Sequence, residues 1–399
     1  MGMKRHPEDS PSDAKSIGWY VHLPFCTTKC GYCDFYSLPT IPGLIDGLVN
    51  ALAAEIAARD PKRPVETIFI GGGTPTVLPA EALDRILELV TAHTGPVSEF
   101  TVEANPSSTD ELKLDLLRKR GVNRISFGAQ SFDPAELKVL ERLHDPQHIF
   151  ESVSAARAAG FDNINLDLIY AIPGQSMASW RATLQRAVEL GTEHLSCYAL
   201  MYEPGTSLTR LRHQGRVVQA DEDLEAEMFD CTIDTLTAAG YEHYEISNFA
   251  RSGRRCRANV IYWENREYLG IGPSAVSYLD GVRRKNVPDV RKYVEAPSSA
   301  PKSIVAEEEQ LAPEDRARET AIQMLRMTEG INHARFEAIT GFKANEFFSR
   351  QIAEYAGLGL IESDASCVRL TRRGLLLSNK VMTAFLDEPV THPFAGGAV

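Results

Sequence analysis

Three cysteines within eight residues give this sequence its clearest capacity for chemistry. Cys26, Cys30 and Cys33 stand in the segment CTTKCGYC, directly after a short apolar stretch. Three soft thiolates held this closely suit an iron–sulfur cluster or a zinc ion. A closed zinc site needs a fourth cysteine or histidine nearby, and none follows Cys33. A four-iron cluster on three cysteines would leave one iron open to another molecule, which is a catalytic arrangement.

Two other interpretations of the triplet stay open at this point. Structural zinc and a redox disulfide both use cysteines at such short spacing. His22 precedes the loop in YVHLPF and could complete a zinc site, or it could be a hydrogen-bonded structural residue.

A glycine-rich turn follows about forty residues later. The segment Gly71–Gly72–Gly73–Thr74–Pro75 comes directly after the apolar run TIFI. Glycines let a ligand approach the backbone closely, and we expect them to leave amide groups free to donate hydrogen bonds. The segment lacks the Lys–Ser/Thr of a phosphate-binding P-loop, and alone it equally fits a tight turn. Beside an open iron it predicts a cradle for an amino-acid-like group.

Polar residues recur at or just past the ends of successive predicted strands. Glu103 ends FTVE, Gln130 follows RISFGA, and Asp167 lies within INLDLIY. In a parallel α/β barrel, ligand-binding groups gather at the C-terminal ends of the strands. These three residues therefore predict a shared small-molecule site, although a single such carboxylate is more often a cap or a solvated charge.

Short apolar runs alternate with amphipathic helix-length segments from residue 17 to about 250, which indicates parallel strands with right-handed crossovers. The pattern fits a partial barrel, a full barrel or an open doubly wound sheet. The predicted strands are Ile17–Leu23, Thr67–Ile70, Glu99–Glu103, Arg124–Gly128, Asn163–Tyr170, His194–Leu200 and Tyr241–Ile246.

The sequence divides into a tail, a large domain and a smaller one. Residues 1–15 are a polar tail, residues 16–295 carry the repeated strand–helix pattern, and residues 304–390 form an accessory domain. The stretch APSSAPKS between the two domains is poor in large apolar residues and is typical of a linker. Helices followed by a small hairpin predict a winged-helix-like accessory domain. Its candidate recognition helix carries a single arginine, so we expect it to pack or cover substrate rather than bind DNA.

Composition narrows the function classes further. The chain has 399 residues, with 42 Lys plus Arg against 54 Asp plus Glu, for a net charge of −12. This balance argues against a nucleic-acid partner. No apolar run is long enough for a transmembrane segment, and the N-terminus lacks the apolar stretch of a signal peptide. We therefore expect a cytoplasmic protein whose four scattered cysteines are incidental.

These motifs resemble the radical SAM superfamily, and within it the coproporphyrinogen III oxidase-like branch. YVHLPFCTTKCGYCDF is similar to the cluster loop of that branch, and IFIGGGTPT to its methionine-binding turn. Later segments, from VEANP to YEISNFA, are similar to its strand-end motifs. The resemblance covers nearly the whole chain and implies a partial (β/α)6-type barrel with a C-terminal helical, winged-helix-like domain.

The resemblance also implies cofactors and the residues that hold them. A [4Fe–4S] cluster would bind Cys26, Cys30 and Cys33, and S-adenosylmethionine (SAM) would chelate the open iron. An electron from the cluster would cleave SAM to a 5′-deoxyadenosyl radical. The contacts to SAM implied by the same match are Tyr20, the backbone at Gly72, Gly73 and Thr74, and the side chains of Glu103, Gln130, Arg142 and Asp167.

Two features distinguish members of this branch. The oxidases carry a further cysteine two places after the third and a longer N-terminal segment. Here Asp34 and Phe35 follow Cys33, and only the short polar tail precedes the first predicted strand. Both features favour the subgroup of HemW-type heme chaperones, which resemble the oxidase but bind heme and deliver it. The implied partners are heme or another porphyrin-like molecule, acceptor hemoproteins, and an electron donor such as a flavodoxin or ferredoxin. Delivery to respiratory proteins implies transient contact with a membrane surface.

One residue departs from the subgroup pattern. The stretch RCRANVIYW resembles the subgroup's HNxxYW region, but Ala258 stands where that pattern has histidine. Imidazole is the commonest ligand of heme iron, and alanine cannot replace it. His243 and His144 are alternative candidates. The departure keeps a second hypothesis open, in which the chain is a radical SAM enzyme, a decarboxylase or a methylase, that acts on another substrate.

Overall fold

A computed structural model describes residues 16–296 and 301–386, with the backbone alone at residues 301 and 302. The predicted tail at 1–15, the centre of the predicted linker and the last residues of the predicted accessory domain lie outside the described residues. Within the described residues, contacts group the chain into two compact units. The first unit takes the chain up to His243, with Ser247–Ile261 and Glu267–Glu309. The second takes Tyr244–Ile246, Tyr262–Arg266 and the chain from Gln310.

The strands of the first unit include six that succeed one another along the chain with helices between them. In chain order the strands are β1 (Ile17–Leu23), β2 (Phe25–Cys26), β3 (Leu38–Pro39), β4 (Val65–Gly72), β5 (Glu99–Ala104), β6 (Arg124–Gln130), β7 (Ile164–Tyr170), β8 (His194–Ala199), β9 (Glu242–His243), β10 (Asn248–Ala250), β11 (Tyr268–Ile271), β12 (Val276–Leu279), β13 (Val282–Asn286) and β14 (Val305–Gln310).

The helices of this part of the chain lie between those strands. In chain order they are α1 (Pro42–Arg59), α2 (Ala80–Thr94), α3 (Glu111–Lys119), α4 (Pro134–Val139), α5 (Pro146–Ala158), α6 (Met177–Leu190), α7 (Ser207–His213), α8 (Glu222–Ala238), α9 (Arg257–Trp263) and α10 (Val290–Glu295), with short 3₁₀ turns at Pro75–Val77 and Pro301–Ile304.

The main sheet has the strand order β14-β13-β12-β11-β1-β4-β5-β6-β7-β8-β10-β9. Strands β1, β4, β5, β6, β7 and β8 pair parallel with one another in that order. Strand β8 pairs antiparallel with β10 on its other side. The six parallel strands lie in the sheet in their chain order, without the reversal of strand order that a doubly wound sheet has. Among the described strands the two ends of the sheet do not pair with each other, so the six form a partial barrel. This arrangement confirms the predicted α/β fold and selects the partial barrel from the three architectures that the periodicity allowed.

One predicted strand is wrong. Tyr241–Ile246 was expected to continue the strand–helix repeat, but only Glu242–His243 forms a strand, and it pairs antiparallel with β10. Four residues connect the two strands, and a connection this short can join only antiparallel neighbours.

Side chains alternate between two faces along the parallel strands. One face carries large buried apolar residues, such as Trp19, Ile68 and Val102. The opposite face carries most of the buried polar residues of these strands, such as Thr101, Ser126 and Asn165. A period of two places all members of each set on one side of the sheet. The barrel interior is therefore polar, which suits it to a small molecule rather than to an apolar core.

Helix α9 closes the barrel at the N-terminal ends of its strands. Glu99, the first residue of β5, accepts hydrogen bonds from the amides of Arg257 and Ala258 at 3.0 and 3.1 Å. A Cβ atom on Gly18 would lie 3.2 Å from the side chain of Ile261, so the helix also packs against β1. The buried carboxylate thus fixes the start of α9 across one end of the barrel.

The second unit is mainly helical with one small sheet. Strands β15 (Ile331–Asn332), β16 (Ile361–Ser363) and β17 (Cys367–Leu370) form a three-stranded antiparallel sheet in the order β15-β17-β16. Its helices are α11 (Pro313–Leu325), α12 (His333–Thr340), α13 (Ala344–Phe347), α14 (Ser349–Gly357), α15 (Arg372–Leu376) and α16 (Ser378–Phe385). Helices followed by a hairpin match the predicted arrangement. None of the helices in the described residues is long and apolar enough to cross a membrane.

Replacing Glu99 tests its role in closing the barrel. We expect Glu99→Ala to lower the free energy of unfolding by about 2 to 4 kcal/mol, because two buried amides lose their acceptor. Urea denaturation measures the change. Glu88→Ala, at an exposed position on α2, is the control and should change stability by less than about 0.5 kcal/mol. Equal stability of the two variants would contradict this role.

Candidate cofactor site

The cysteine loop is closed at its base by backbone pairing. Strand β2 pairs with β3, so that Cys26 lies opposite Pro39, and the amide of Thr40 donates to the carbonyl of Cys26 at 3.1 Å. Within the loop, the amide of Cys33 donates to the carbonyl of Cys30 at 3.2 Å. All three cysteines are free and half-buried. Burial raises the pKa of the Cys33 thiol to about 11 and also raises that of Cys26.

His22 holds the loop to the barrel. Its Nε2 lies 2.8 Å from the carbonyl oxygen of Tyr36, and its Nδ1 lies 3.0 Å from the hydroxyl of Tyr20. Burial lowers the pKa of His22 to about 4, so the ring is neutral and carries one proton. A carbonyl can only accept, so Nε2 donates to it and Nδ1 accepts from Tyr20. Both nitrogens are engaged, which confirms the interpretation of His22 as a hydrogen-bonded structural residue.

The glycine turn packs tightly against the cysteine loop. A Cβ atom on Gly72 would overlap the ring of His22, and Gly72 also has a φ of +96°. A Cβ atom on Gly73 would lie 2.6 Å from the carbonyl oxygen of Phe25 and 2.7 Å from that of Leu23. Only glycine fits at either position.

The expectation that this turn leaves its amides free is wrong. The amide of Gly72 donates to Glu103 at 3.1 Å. The amides of Gly73 and Thr74 donate to the carbonyls of Leu23 and Phe25 at 2.9 and 2.8 Å. Buried amides in a compact turn take the nearest acceptor, and here the cysteine loop supplies it. Hydrogen bonds from the turn therefore fix the loop, and its donors are already used.

Two side chains contact cysteine sulfurs. The hydroxyl of Thr74 lies 3.8 Å from the sulfur of Cys26, and Nη1 of Arg142 lies 3.4 Å from that of Cys30. Nη2 of Arg142 donates to the carbonyl of Gly128 at 2.5 Å. The remaining Nε is buried and has no partner among the described residues. A buried, unsatisfied guanidinium donor is rare and points to an anionic or polar partner that the chain itself does not supply.

Gln130 is aimed by an irregularity at the end of β6. The pairing register of β6 with β7 shifts between Gly128 and Gln130, and Gln130 has a φ of +63°. A Cβ atom on Gly128 would lie 3.0 Å from both Nε2 of Gln130 and Nη2 of Arg142. Bulges and positive φ values at non-glycine residues concentrate at functional sites, where they redirect a side chain.

Glu103 lies between the glycine turn and the barrel interior. Its carboxylate accepts from the amide of Gly72, and a Cβ atom on Gly71 would lie 2.5 Å from its Oε2. Burial and, to a smaller extent, the carboxylate of Asp167 raise the pKa of Glu103 to about 8. The phenol of Tyr20 is held protonated, since burial and then Glu103 raise its pKa.

Asp167 belongs to a hydrogen-bonded network inside the barrel. It accepts from Ser126 at 3.0 Å and from the amide nitrogen of Asn165 at 2.9 Å, and Asn165 also contacts His194 at 2.6 Å. Burial raises the pKa of Asp167. Each carboxylate oxygen can accept two hydrogen bonds, so the network orients Asp167 and leaves it capacity for a ligand.

The predicted site residues lie at one end of the barrel. One group of contacts surrounds Gly72 and Glu103, and a second surrounds Arg142 and Cys30. Asp167 interacts electrostatically with Glu103 of the first group. The buried phenol of Tyr32 also lies within electrostatic range of Arg142, Cys30, Cys33 and Asp167. Among the described residues, no three His, Cys, Asp or Glu side chains converge on a point that could hold a single metal ion.

These features fit a cluster with a bound amino-acid-like cofactor. Three free thiols and an unsatisfied arginine donor lie beside a glycine turn that is packed too closely against the loop for any side chain. Sequence reasoning missed Tyr32, Gly128, Ser126 and Asn165. The period-two alternation of β6 and β7 could have found the last two, since each stands between apolar neighbours.

Comparisons with known proteins identify the family. The Radical SAM superfamily pattern matches residues 20–187, and the HemN C-terminal domain matches residues 311–377. The heme chaperone HemW of Bacillus subtilis is 37% identical over 92% of this chain and 99% of its own length. The chain belongs to the HemW family of radical SAM proteins. The HemW of Escherichia coli is 33% identical over 93% of this chain and 98% of its own length.

A solved structure supports the HemW family fold. The radical SAM coproporphyrinogen III oxidase HemN of Escherichia coli has a TM-score of 0.80 and 25% identity, and the match covers 94% of this chain and 90% of that one. The predicted fold class and resemblance are confirmed.

The structure places the departure from the HemW pattern away from the cysteines. Ala258 is 4% exposed, and its amide donates to Glu99 at the start of β5. Glu103 lies four residues further along that strand, about 13 Å away. Of the alternative histidines, His144 is buried, with Nε2 donating to Ala129 at 3.0 Å and Nδ1 without a partner in the described part of the chain. His243 stacks on Phe249 with ring centroids 4.5 Å apart.

The raised pKa of Glu103 predicts a pH dependence of stability. Between its ordinary pKa of 4.5 and about 8, Glu103 holds a proton in the folded chain and loses it on unfolding. The free energy of unfolding therefore falls as pH rises through this window, by at most about 1.4 kcal/mol per pH unit. Glu103→Gln cannot titrate, so urea denaturation at several pH values should show a shallower decline. Glu88→Gln should keep the original slope, and a Glu103→Gln slope equal to it would contradict the assignment.

Proposed function

We propose that this chain binds a [4Fe–4S] cluster and SAM, binds heme, and transfers the heme to acceptor hemoproteins. The observation that carries the proposal is its identity to heme chaperones along nearly the whole chain, with the cysteine triplet and the glycine turn in place. The three predicted ligands, Cys26, Cys30 and Cys33, would hold the cluster. When bound and reduced, such a cluster supplies the electron that cleaves the carbon–sulfur bond of SAM.

The residues around the cysteines would orient SAM. With the turn's amides already used, backbone carbonyls at Gly72 and Gly73 are the groups that could accept from the SAM ammonium. Arg142 would donate its free Nε–H to an anionic group such as the SAM carboxylate.

The polar groups of the barrel would serve the rest of SAM. Asp167 and Gln130 would meet ribose hydroxyls and other polar atoms, and Glu103 would accept once it is ionised. Tyr20 would keep its hydroxyl on His22, so its contribution would be to hold the loop and to shape the cofactor pocket.

The proposed partners follow from the same family relationship. They are heme or a porphyrin-like molecule, acceptor hemoproteins, and an electron donor such as a flavodoxin or ferredoxin. We propose a cytoplasmic location with transient contact at the membrane surface during delivery.

Ala258 supports a second candidate, a radical SAM enzyme acting on another substrate. The oxidase version of this candidate is disfavoured by Asp34 and Phe35 after Cys33, where the oxidases carry a further cysteine. Production of 5′-deoxyadenosine that depends on one added substrate would support the enzyme.

Removing one thiol tests the cluster. We expect the wild type, reconstituted anaerobically with iron and sulfide, to hold about four irons per chain and Cys30→Ala to lose most of them. Cys231→Ala, which removes another half-buried free thiol, is the matched control and should retain the iron. Unchanged iron content in Cys30→Ala would overturn the cluster assignment.

Heme titration of the reconstituted chain tests the chaperone function. We expect a saturable change in the Soret region and transfer of the bound heme to an added apo-hemoprotein. A titration without saturation, on a sample with its iron intact, would reject the chaperone in favour of the radical enzyme.

A further inference from the structure

The histidine that would ligate heme is not at position 258, so another group must supply the bond. Seven of the eight histidines in the described residues are already engaged by a hydrogen bond or a ring contact. They are His22, His93, His144, His148, His194, His243 and His333. Within the described residues, the imidazole of His213 has neither kind of contact. It is exposed at the C-terminal end of helix α7.

Helix α7 starts on the cysteine loop. The amide of Leu208 donates to the carbonyl of Gly31 at 2.8 Å, and the hydroxyl of Ser207 lies 3.2 Å from the same oxygen. A Cβ atom on Gly31 would lie 3.0 Å from that hydroxyl, so the two segments are in close contact. Six residues along a helix span about 9 Å, which places His213 on the same end of the barrel as the cysteines.

Large exposed apolar side chains stand close in sequence to a buried cluster that includes Leu208 of α7. The cluster is formed by Leu140, Ile169, Ile172, Leu200 and Leu208, with Tyr32 of the cysteine loop and Val217 packed against it. Five large apolar residues are exposed in the described part of the first unit. Four of them follow, by one to three positions in sequence, a residue of this cluster or one packed against it, and these are Phe35, Leu143, Met201 and Val218. Their exposures are 45, 65, 56 and 79%. Such a concentration of exposed apolar surface marks a binding face.

Two arginines give this face a positive charge. Arg210 precedes His213 by three positions on α7, so the two side chains share a face of the helix. Arg216 follows the helix after Gly215. Within the described residues neither arginine has a carboxylate partner, although the chain as a whole carries a net charge of −12. Arg212 is used differently, since it lies over the ring of Tyr202 at 4.7 Å and donates to Gln219 at 2.8 Å.

The remaining charges limit how an anion could lie here. Asp34 and Glu203 interact on the side of the cysteine loop, where Asp34 adds to the effect of burial in raising the pKa of Glu203. Glu141 is on this side as well, since a Cβ atom on Gly31 would lie 2.9 Å from its Oε2. An anionic group is repelled from that side and attracted to the side of Arg210 and Arg216. The face thus combines an apolar surface, a free imidazole and a cationic edge.

We propose that heme binds on this face, with His213 as an axial ligand of the iron and Arg210 and Arg216 paired with its two propionates. Heme is a flat apolar ring with an iron that prefers imidazole and with two carboxylates on one edge, and the face offers a partner for each. This assignment rests on the proposed chaperone function and gives it a site. It also explains how a member of the HemW family can handle heme with alanine at position 258.

Matched histidine variants of the full, reconstituted chain test the ligand. Hemin is titrated against the wild type, His213→Gln and His148→Gln, with affinity and Soret position as readouts. Electron paramagnetic resonance reports the iron spin state. We expect His213→Gln to bind at least about tenfold more weakly, with a shifted Soret band and an altered spin state. His148→Gln, an exposed histidine on α5, should match the wild type, and added imidazole should restore the spectrum of His213→Gly.

The arginines are tested in the same titration. Arg210→Gln and Arg216→Gln should each weaken binding by about two- to fivefold, with a smaller effect at high salt. Arg254→Gln, at a solvent-exposed ion pair with Asp162, should have no effect.

The outcomes separate the site from the function. A wild type that binds no heme overturns the chaperone proposal itself. A wild type that binds heme while His213→Gln binds it equally, with the same spectrum, overturns this site and leaves the chaperone standing. An equal loss in His148→Gln also overturns it. If the arginine variants slow reduction of the cluster by an acidic flavodoxin and leave the heme titration unchanged, the cationic edge docks the electron donor instead.

Discussion

The polar interior of the barrel is the constraint on which the rest of the structure depends. Alternate residues of the parallel strands bring many hydrogen-bonding or charged groups into the buried interior of the barrel, and such groups are costly when unpaired. The structure satisfies them with each other, as in the contacts among Asp167, Ser126 and Asn165. Glu99 is satisfied by the start of α9, and Glu103 by the glycine turn. The residues proposed to hold the cofactors therefore belong to a hydrogen-bond network that the fold itself requires.

Hydrogen bonds from the barrel and from the glycine turn hold the cysteine loop in place. His22 joins the barrel strand β1 to the carbonyl of Tyr36, and the amides of Gly73 and Thr74 join the glycine turn to the carbonyls that precede Cys26. These contacts connect the cysteine loop, which is proposed to hold the cluster, to the glycine turn, which is proposed to contact SAM. A site whose ligands are held by neighbouring hydrogen bonds needs less reorganisation on binding.

The sequence predicted most of the strands well because strands depend on local patterns, and the proposed site residues were chosen from the same patterns. Glu103, Gln130 and Asp167 follow from alternation and strand ends, and β1 was predicted to the residue. What failed depends on contacts between distant segments. The amides of Gly73 and Thr74 donate to carbonyls about fifty positions earlier in the chain, and no periodicity in the sequence indicates such a contact. The bulge at Gln130 and the orphaned donor of Arg142 also arise only when β6, β7 and the following loop are assembled.

The two ends of the barrel explain why the replacement at position 258 need not abolish function. At the N-terminal end of the strands, α9 is fixed by a buried carboxylate, and Ala258 is enclosed there with its amide already bonded. A ligand as large as a porphyrin would have to displace that helix to reach this position. At the opposite end, the cysteine loop, helix α7 and the exposed apolar residues leave an accessible surface with a free imidazole. Heme bound there would lie on the same side as the residues proposed to hold the cluster and SAM, so cofactor state could influence heme release through the Gly31 contact with α7.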